Sequence, residues 1–309
     1  MPGLFAPMIR LRLLRFALTG TTLVILAPAL LAQDAGNATA DVVHGRPQEM
    51  IDRVVANQRK NERALDLYER IERVEVRKTG RDAQPISVRI SRVIPAGTGT
   101  GKLPVGADGK AADAEAYRAE LEKIVKALTW AADDGRAQRE AYEKIAKKRK
   151  DREELIDATR RAFVYTFEGE EPRGETVLYK YRIEPNPSFK PASRVQAIFT
   201  KVRGHVWIDE DSRQLARVDG DITDDFSVGL FLGKVYKGSH FMQERYEIAP
   251  GVWLPTFSQY DFDGRKLLLS FALHERTFYS NYRLIGPPKD ALVTLRGELS
   301  KQMSATSSP

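Results

Sequence analysis

The spacing of apolar residues changes several times along the chain, and each change marks an element. From Pro47, a residue suited to a helix start, Ile51, Val54, Val55, Leu65 and Tyr68 give an imperfect helical stripe. Its polar middle, "NQRKNER", predicts that only part of this helix is buried. From about Glu69 the period drops to two: Val74 and Val76 alternate with Arg73, Glu75 and Arg77, and "PISVRISRVIP" reads as a second strand. "AGTGTGKLPVGADGK" is rich in glycine and reads as a loop. Residues 114–161 return to helical spacing. Tyr117, Leu121, Ile124, Leu128 and Ala131 recur at intervals of four and three. After "DDG" a second seam starts at Tyr142 and Ile145, breaks at "KKRKDREE", and resumes at Leu155 and Ile156. An antiparallel helical hairpin, part docked and part solvated, is expected.

Beyond Ala162 nearly everything alternates. "FVYTFEG" puts Phe163, Tyr165 and Phe167 on one face, and "TVLYKYRIE" does the same for Val177, Tyr179, Tyr181 and Ile183. Further strands follow in "HVWID", "QLARVDGDI", "FMQERYEI", "FSQYDF" and "KLLLSFALHERTFY", mostly bounded by Gly, Pro, Asp or Asn. Successive strands without intervening helices imply an antiparallel meander with one buried face. The expected class is α+β: a strongly curved antiparallel sheet or incomplete β-barrel with a helical lid, plus the inserted hairpin. The apolar concave side needs cover. The N-terminal helix and the helical hairpin are the available lids, and they either fill it as an ordinary core or leave space for an apolar ligand.

The start of the chain changes the picture of where it works. Arg10, Arg12 and Arg15 precede the uncharged run "FALTGTTLVILAPALLA", and alanines at 27, 29 and 32 offer cleavage sites. Residues 1–32 read as a secretory signal peptide, with an uncleaved anchor as the alternative. Residues 33–46 read as a flexible leader, and 47–309 as one domain carrying the insertion 114–161. The periplasm is the expected compartment. With no cysteine there is neither a disulfide nor a lipidated N-terminus, so the domain depends on an ordinary core. Of the net charge of +7, three units belong to the signal segment, and the remainder does not argue for nucleic-acid binding.

Candidate chemistry is sparse. Asp209, Glu210 and Asp211 could bind a metal or catalyse, but between two strand-like runs they read as a hairpin turn. Asp263-Gly264 suits a type I′ turn by the same logic. "DGDITDD" lacks the glycine and terminal glutamate of a calcium loop. The four histidines are scattered, and no nucleophile elbow or phosphate-binding loop occurs. No enzyme, metal site or cofactor is expected. The basic run 147–150 with Arg152 reads as a solvated helix face beside Asp151, Glu153 and Glu154; contact with anionic lipid is the alternative.

"HVWIDEDSRQLARVDGDI", "GLFLGKVYKGSHFMQERYEIAPGVWLPT" and "ERTFYSNYRL" together resemble the LolA/LolB-like superfamily of outer-membrane lipoprotein-sorting proteins. There a strand ending in W-[IL]-D runs into an acidic turn and returns as L-x-R-V. The resemblance spans about 163–284, with the helix-then-strands order of 47–95. It implies an incomplete barrel with a helical lid around a cavity for acyl chains. The insertion departs from typical carriers, and the chain looks nearer to a group of secreted bacterial proteins with the same insertion and the same "KVYKGSHF". The leading expectation is a carrier for a lipid or lipoprotein acyl chain, lined by Trp207, Tyr179, Tyr181 and Phe271. The alternative is a cell-envelope scaffold with a filled core, binding an envelope protein through the hairpin.

Overall fold

Residues 47–80, 84–111, 113–228, 233–266 and 269–306 are described by a computed structural model. The expected signal peptide and leader lie outside the described residues. Helix α1 (Pro47–Ala64) passes through a 3-10 turn (Leu65–Leu67) into β1 (Tyr68–Arg77), β2 (Ser87–Pro95) and β3 (Thr100–Pro104). Helices α2 (Ala114–Ala131) and α3 (Arg136–Ala162) follow. Next come β4 (Phe163–Arg173), β5 (Thr176–Pro185), a 3-10 helix (Gln196–Lys201), β6 (Val202–Asp209) and β7 (Leu215–Ile222). The chain continues with β8 (Phe226–Val228), β9 (Gly233–Val235), β10 (His240–Ala249), β11 (Val252–Lys266), β12 (Leu269–Leu284) and α4 (Pro288–Thr306).

Among the described residues the strands form one 12-stranded sheet in the order β3-β2-β1-β12-β11-β10-β7-β6-β5-β4, with β8 and β9 paired beside β11. All pairings are antiparallel, and the sheet is curved but open, ending at β3 and β4. Pairing of β1 with β12 joins the first strands to the last, so the expected meander is completed by its own N-terminal strands.

Two local expectations are corrected and a third is refined. The glycine-rich stretch contains strand β3, and Ile124 of α2 lies where any side chain at residue 101 would sit, so Gly101 lets the helix approach. Asp263-Gly264 is not a turn but part of β11, with Gly264 opposite Phe271. A Cβ at 264 would meet the Lys234 carbonyl and the Phe271 ring, so here the glycine serves close packing. Finally, α1 is only part buried as expected, but the buried part includes polar Gln58, Asn61 and Glu62 from its middle, while Lys60 and Arg63 are exposed.

Two cores lie on opposite faces of the sheet. A continuous row of facing residues runs Phe167, Tyr181, Val206, Val218, Gln243, Ser258, Thr277, Val74. This inner face is covered by α1 (Met50, Ile51, Val54, Val55) and the C-terminal half of α3 (Ile156, Ala158, Ala162). Ile71, Ile90 and Ile94 point the other way, and α2 and α4 cover them through Leu121, Ile124, Leu128, Ala291, Leu292 and Leu295. The five-residue seam read from α2 is entirely buried. The two helices expected over 114–161 form, but α2 packs on α4 and β3 while α3 packs on α1. Their apolar seams serve different cores.

Candidate functional site: the lidded inner face

The inner face is divided into two chemical zones. Across β4 to β7 it is apolar: Phe167 meets Tyr181 and Tyr179 edge-on at 5.4 and 5.9 Å between ring centres, and Phe163 meets Phe199 at 5.6 Å. Further along the sheet the Phe241 ring occupies the space that a side chain at Gly220 would need. Tyr181 donates to the Met50 sulfur at 3.6 Å, tying the sheet to the lid. Tyr179 donates to Glu210 Oε1 at 2.5 Å; burial, then this bond, raises its pKa above the ordinary phenol value. Phe271 packs at the far side of the same face, near Phe262 and Leu273.

Trp207 does not share that face. Its neighbours Val206 and Ile208 point into the inner core, so strand alternation sends the indole to the outer side, where it packs with Leu178, Ala216 and Trp253. Its Nε1 donates to Glu171 at 2.7 Å, and Arg217 lies over the ring at 4.6 Å. Tyr179, Tyr181 and Phe271 are therefore brought to one face, and Trp207 is corrected out of that set.

Toward β10, β11 and β12 the inner face becomes polar. Gln243 donates to Ser258 Oγ at 3.1 Å, and Arg245 Nε donates to Gln243 Oε1 at 3.1 Å. Arg245, 2% exposed, also faces Glu62 of α1 at 3.4 Å, and Glu62 accepts from Gln58 at 3.0 Å and from Arg152 of α3 at 3.2 Å. Burial pushes the Tyr279 phenol up to about 12, with nearby Glu72 adding to the effect, and burial raises Tyr260 too. Burial alone would raise Glu72, but Arg70 and Lys102 outweigh it and hold the carboxyl below its usual value.

Helix α1 matches this division. Its first half presents Ile51, Val54 and Val55, and its second half presents Gln58, Asn61 and Glu62. That match explains why a polar stretch can be buried: Asn61 and Glu62 meet partners on the sheet or on α3, and Gln58 donates to Glu62 one turn on. Asn61 donates to Gln214 Oε1 at 2.8 Å and accepts from the Trp253 amide at 3.1 Å. Asn57 donates to the carbonyls of Ser212 and Arg213 at 3.0 and 3.1 Å, so α1 is hooked onto the acidic turn. Within that turn Asp209 Oδ1 accepts from the Ser212 amide and hydroxyl at 2.9 and 2.6 Å. The acidic stretch is thus a hairpin turn built by Asp209, and the turn's Ser212 and Arg213 carbonyls anchor the helix.

The two lid helices are fastened to each other by charge. Asp52 pairs with Arg160 at 3.0 Å, Arg63 with Glu153 at 2.7 Å, and Asp66 with Arg149 at 2.7 Å, while Arg59 pairs with Asp157. Nothing in the isolated charge pattern of either helix pointed to this zipper, because its register depends on how α1 and α3 meet. Among the described residues no three histidine, aspartate or glutamate side chains are grouped to hold a metal ion, and no helix is long and apolar enough to cross a membrane.

No family model matches the sequence, and no curated protein matches it significantly. Among solved structures, the crystal structure of a LolA superfamily protein from Nitrosomonas europaea is similar over 76% of this chain and 96% of that one. Identity is 9% and the TM-score 0.25. A likeness at that level decides nothing about fold or function, which rest on the geometry above.

Proposed function

We propose that the protein is a non-enzymatic periplasmic carrier that holds the acyl chain of a lipid or lipoprotein between the α1–α3 lid and the apolar zone of the inner face. The carrying observation is the contrast between what lies beneath the lid and what fastens its rim. Beneath it is a continuous aromatic and aliphatic surface that includes Tyr179, Tyr181 and, further across, Phe271. Its rim is held by partly exposed ion pairs such as Arg63–Glu153, each worth only about 0–1 kcal/mol. Lifting the lid costs little at the rim, and a long chain repays the exposure at about 0.8 kcal/mol per buried methylene. Two buried polar atoms, Gln58 Oε1 and the Tyr165 hydroxyl, have no hydrogen-bond partner among the described residues and could serve a ligand's polar end.

A second reading has its own observation. Ile51, Val54, Val55, Val206 and Phe163 are essentially inaccessible, which suits an envelope scaffold whose inner face is simply a filled core. Organic extraction of the purified protein followed by mass spectrometry separates the two. Stoichiometric lipid is expected for the carrier; a lipid-free protein that also takes up no added fatty acid would leave only the scaffold.

A further inference from the structure

The zipper between the lid helices runs antiparallel: Arg59 faces Asp157, Arg63 faces Glu153, and Asp66 faces Arg149. α1 ends at Ala64, and the chain then turns through Leu65–Leu67 into β1. Traced back from residue 149, α3 has therefore run past the end of its partner. Its next tie is at Tyr142, whose hydroxyl donates to the Ala131 carbonyl at 2.9 Å, next to the outer core. Residues 143–148 span the gap between the two cores.

Lys144, Lys147 and Lys148 occupy this span, all exposed, at the i, i+3, i+4 spacing that places them on one face. The basic residues that follow are neutralised: Arg149 by Asp66, Lys150 by Glu154, Arg152 by Glu62. Among the described residues no carboxylate lies within ion-pair distance of the three lysines. Two leucines are exposed near the end of α1. Leu67 is 37% and Leu284 61% accessible, and they are neighbours because Tyr68 pairs with Leu284 and the Ile285 amide donates to the Leu67 carbonyl at 2.9 Å. The Asp66–Arg149 pair ties the overhang to the residue beside Leu67.

We propose that this overhang docks the protein on an anionic lipid surface, with Lys144, Lys147 and Lys148 at the headgroups and Leu67 and Leu284 at the acyl boundary. Juxtamembrane lysines are attracted to anionic headgroups, and exposed leucines beside them gain from the interface. A soluble polyanion would use the lysines but gain nothing from the leucines, so a bilayer is the occupant that fits both. The inference does not depend on what the inner face holds.

Co-sedimentation of the full chain with phosphatidylcholine vesicles, with and without phosphatidylglycerol, tests it. Wild type and variants share the N-terminal apolar run, so its contribution cancels in the comparison. The K144E/K147E/K148E variant should lose at least about tenfold in partitioning onto phosphatidylglycerol vesicles and change little on phosphatidylcholine alone. Its circular dichroism should match wild type, since the lysines are exposed. The L67A/L284A variant should weaken binding to both vesicle types. Equal partitioning of wild type and the triple variant would overturn the proposal. So would a lysine-dependent interaction indifferent to the leucines, which would mark a soluble polyanion site.

Discussion

The two cores use one sheet in different ways. The outer core, under α2 and α4, is a dense aliphatic cluster closed by Arg92, whose guanidinium reaches Glu69 at 2.7 Å, Glu298 at 2.8 Å and the Tyr117 hydroxyl at 2.7 Å. The inner core, under α1 and α3, is divided into an aliphatic and aromatic zone and a polar one, and its two covering helices are joined by partly exposed charges. Both covers bury apolar side chains against the sheet, but among the described residues only the inner one also carries buried polar contacts and a row of partly exposed charges between its two helices. On the proposed carrier function, the rim charges are where the inner cover would part first.

The largest effect is expected from Arg245→Ala. It leaves Glu62 buried with a weaker set of partners, and urea denaturation should show a loss of about 3–5 kcal/mol. Arg245→Met with Glu62→Leu should recover most of it, because both buried charges then go together. Leu121→Ala in the outer core should cost about 2–5 kcal/mol and leave fatty-acid uptake unchanged in the folded fraction. A matching loss of uptake would break the division of labour. Arg63→Ala should cost at most about 1 kcal/mol, yet amides of α1 should exchange with solvent faster than those of α2. Equal protection of the two helices would count against an opening lid.

The smallest effect concerns pH. The folded-state pKa of Glu72 is depressed, so its contribution is present above the unfolded value of 4.5 and is lost as pH falls from there through the lower folded value. Glu72→Gln should therefore flatten the acid limb of stability below about pH 4.5 and leave its shape near neutrality unchanged.

Much of the fold was legible because local periodicity and burial agreed. The α2 seam, the alternating strands and the Asp209 turn each follow from residues within a few positions of one another. Other features needed partners distant in sequence. The burial of Gln58, Asn61 and Glu62 depends on a polar zone contributed by β10 to β12, together with Gln214 and α3. The C-terminal helix carries Ala291, Leu292, Leu295 and Leu299 behind Pro288, a short stripe whose partner, α2, lies far away in sequence. Trp207 shows the sharpest limit. Alternation separates it from Val206 and Ile208, but a strand covered by apolar groups on both sides does not reveal which of its faces lies under the lid. Alternation was thus enough to put Tyr179, Tyr181 and Phe271 on one face, while the lid charges and the polar zone were not readable.

The central claim is that an apolar chain enters beneath the α1–α3 lid, and locking the lid tests it most directly. Because the chain has no cysteine, an R63C/E153C pair can be bridged by a short bismaleimide without side reactions elsewhere. Uptake of a fluorescent fatty acid is then compared before and after bridging, with each single-cysteine variant as control. The account predicts that bridging abolishes or strongly slows uptake while both single variants bind normally. Undiminished uptake by the bridged protein would contradict it.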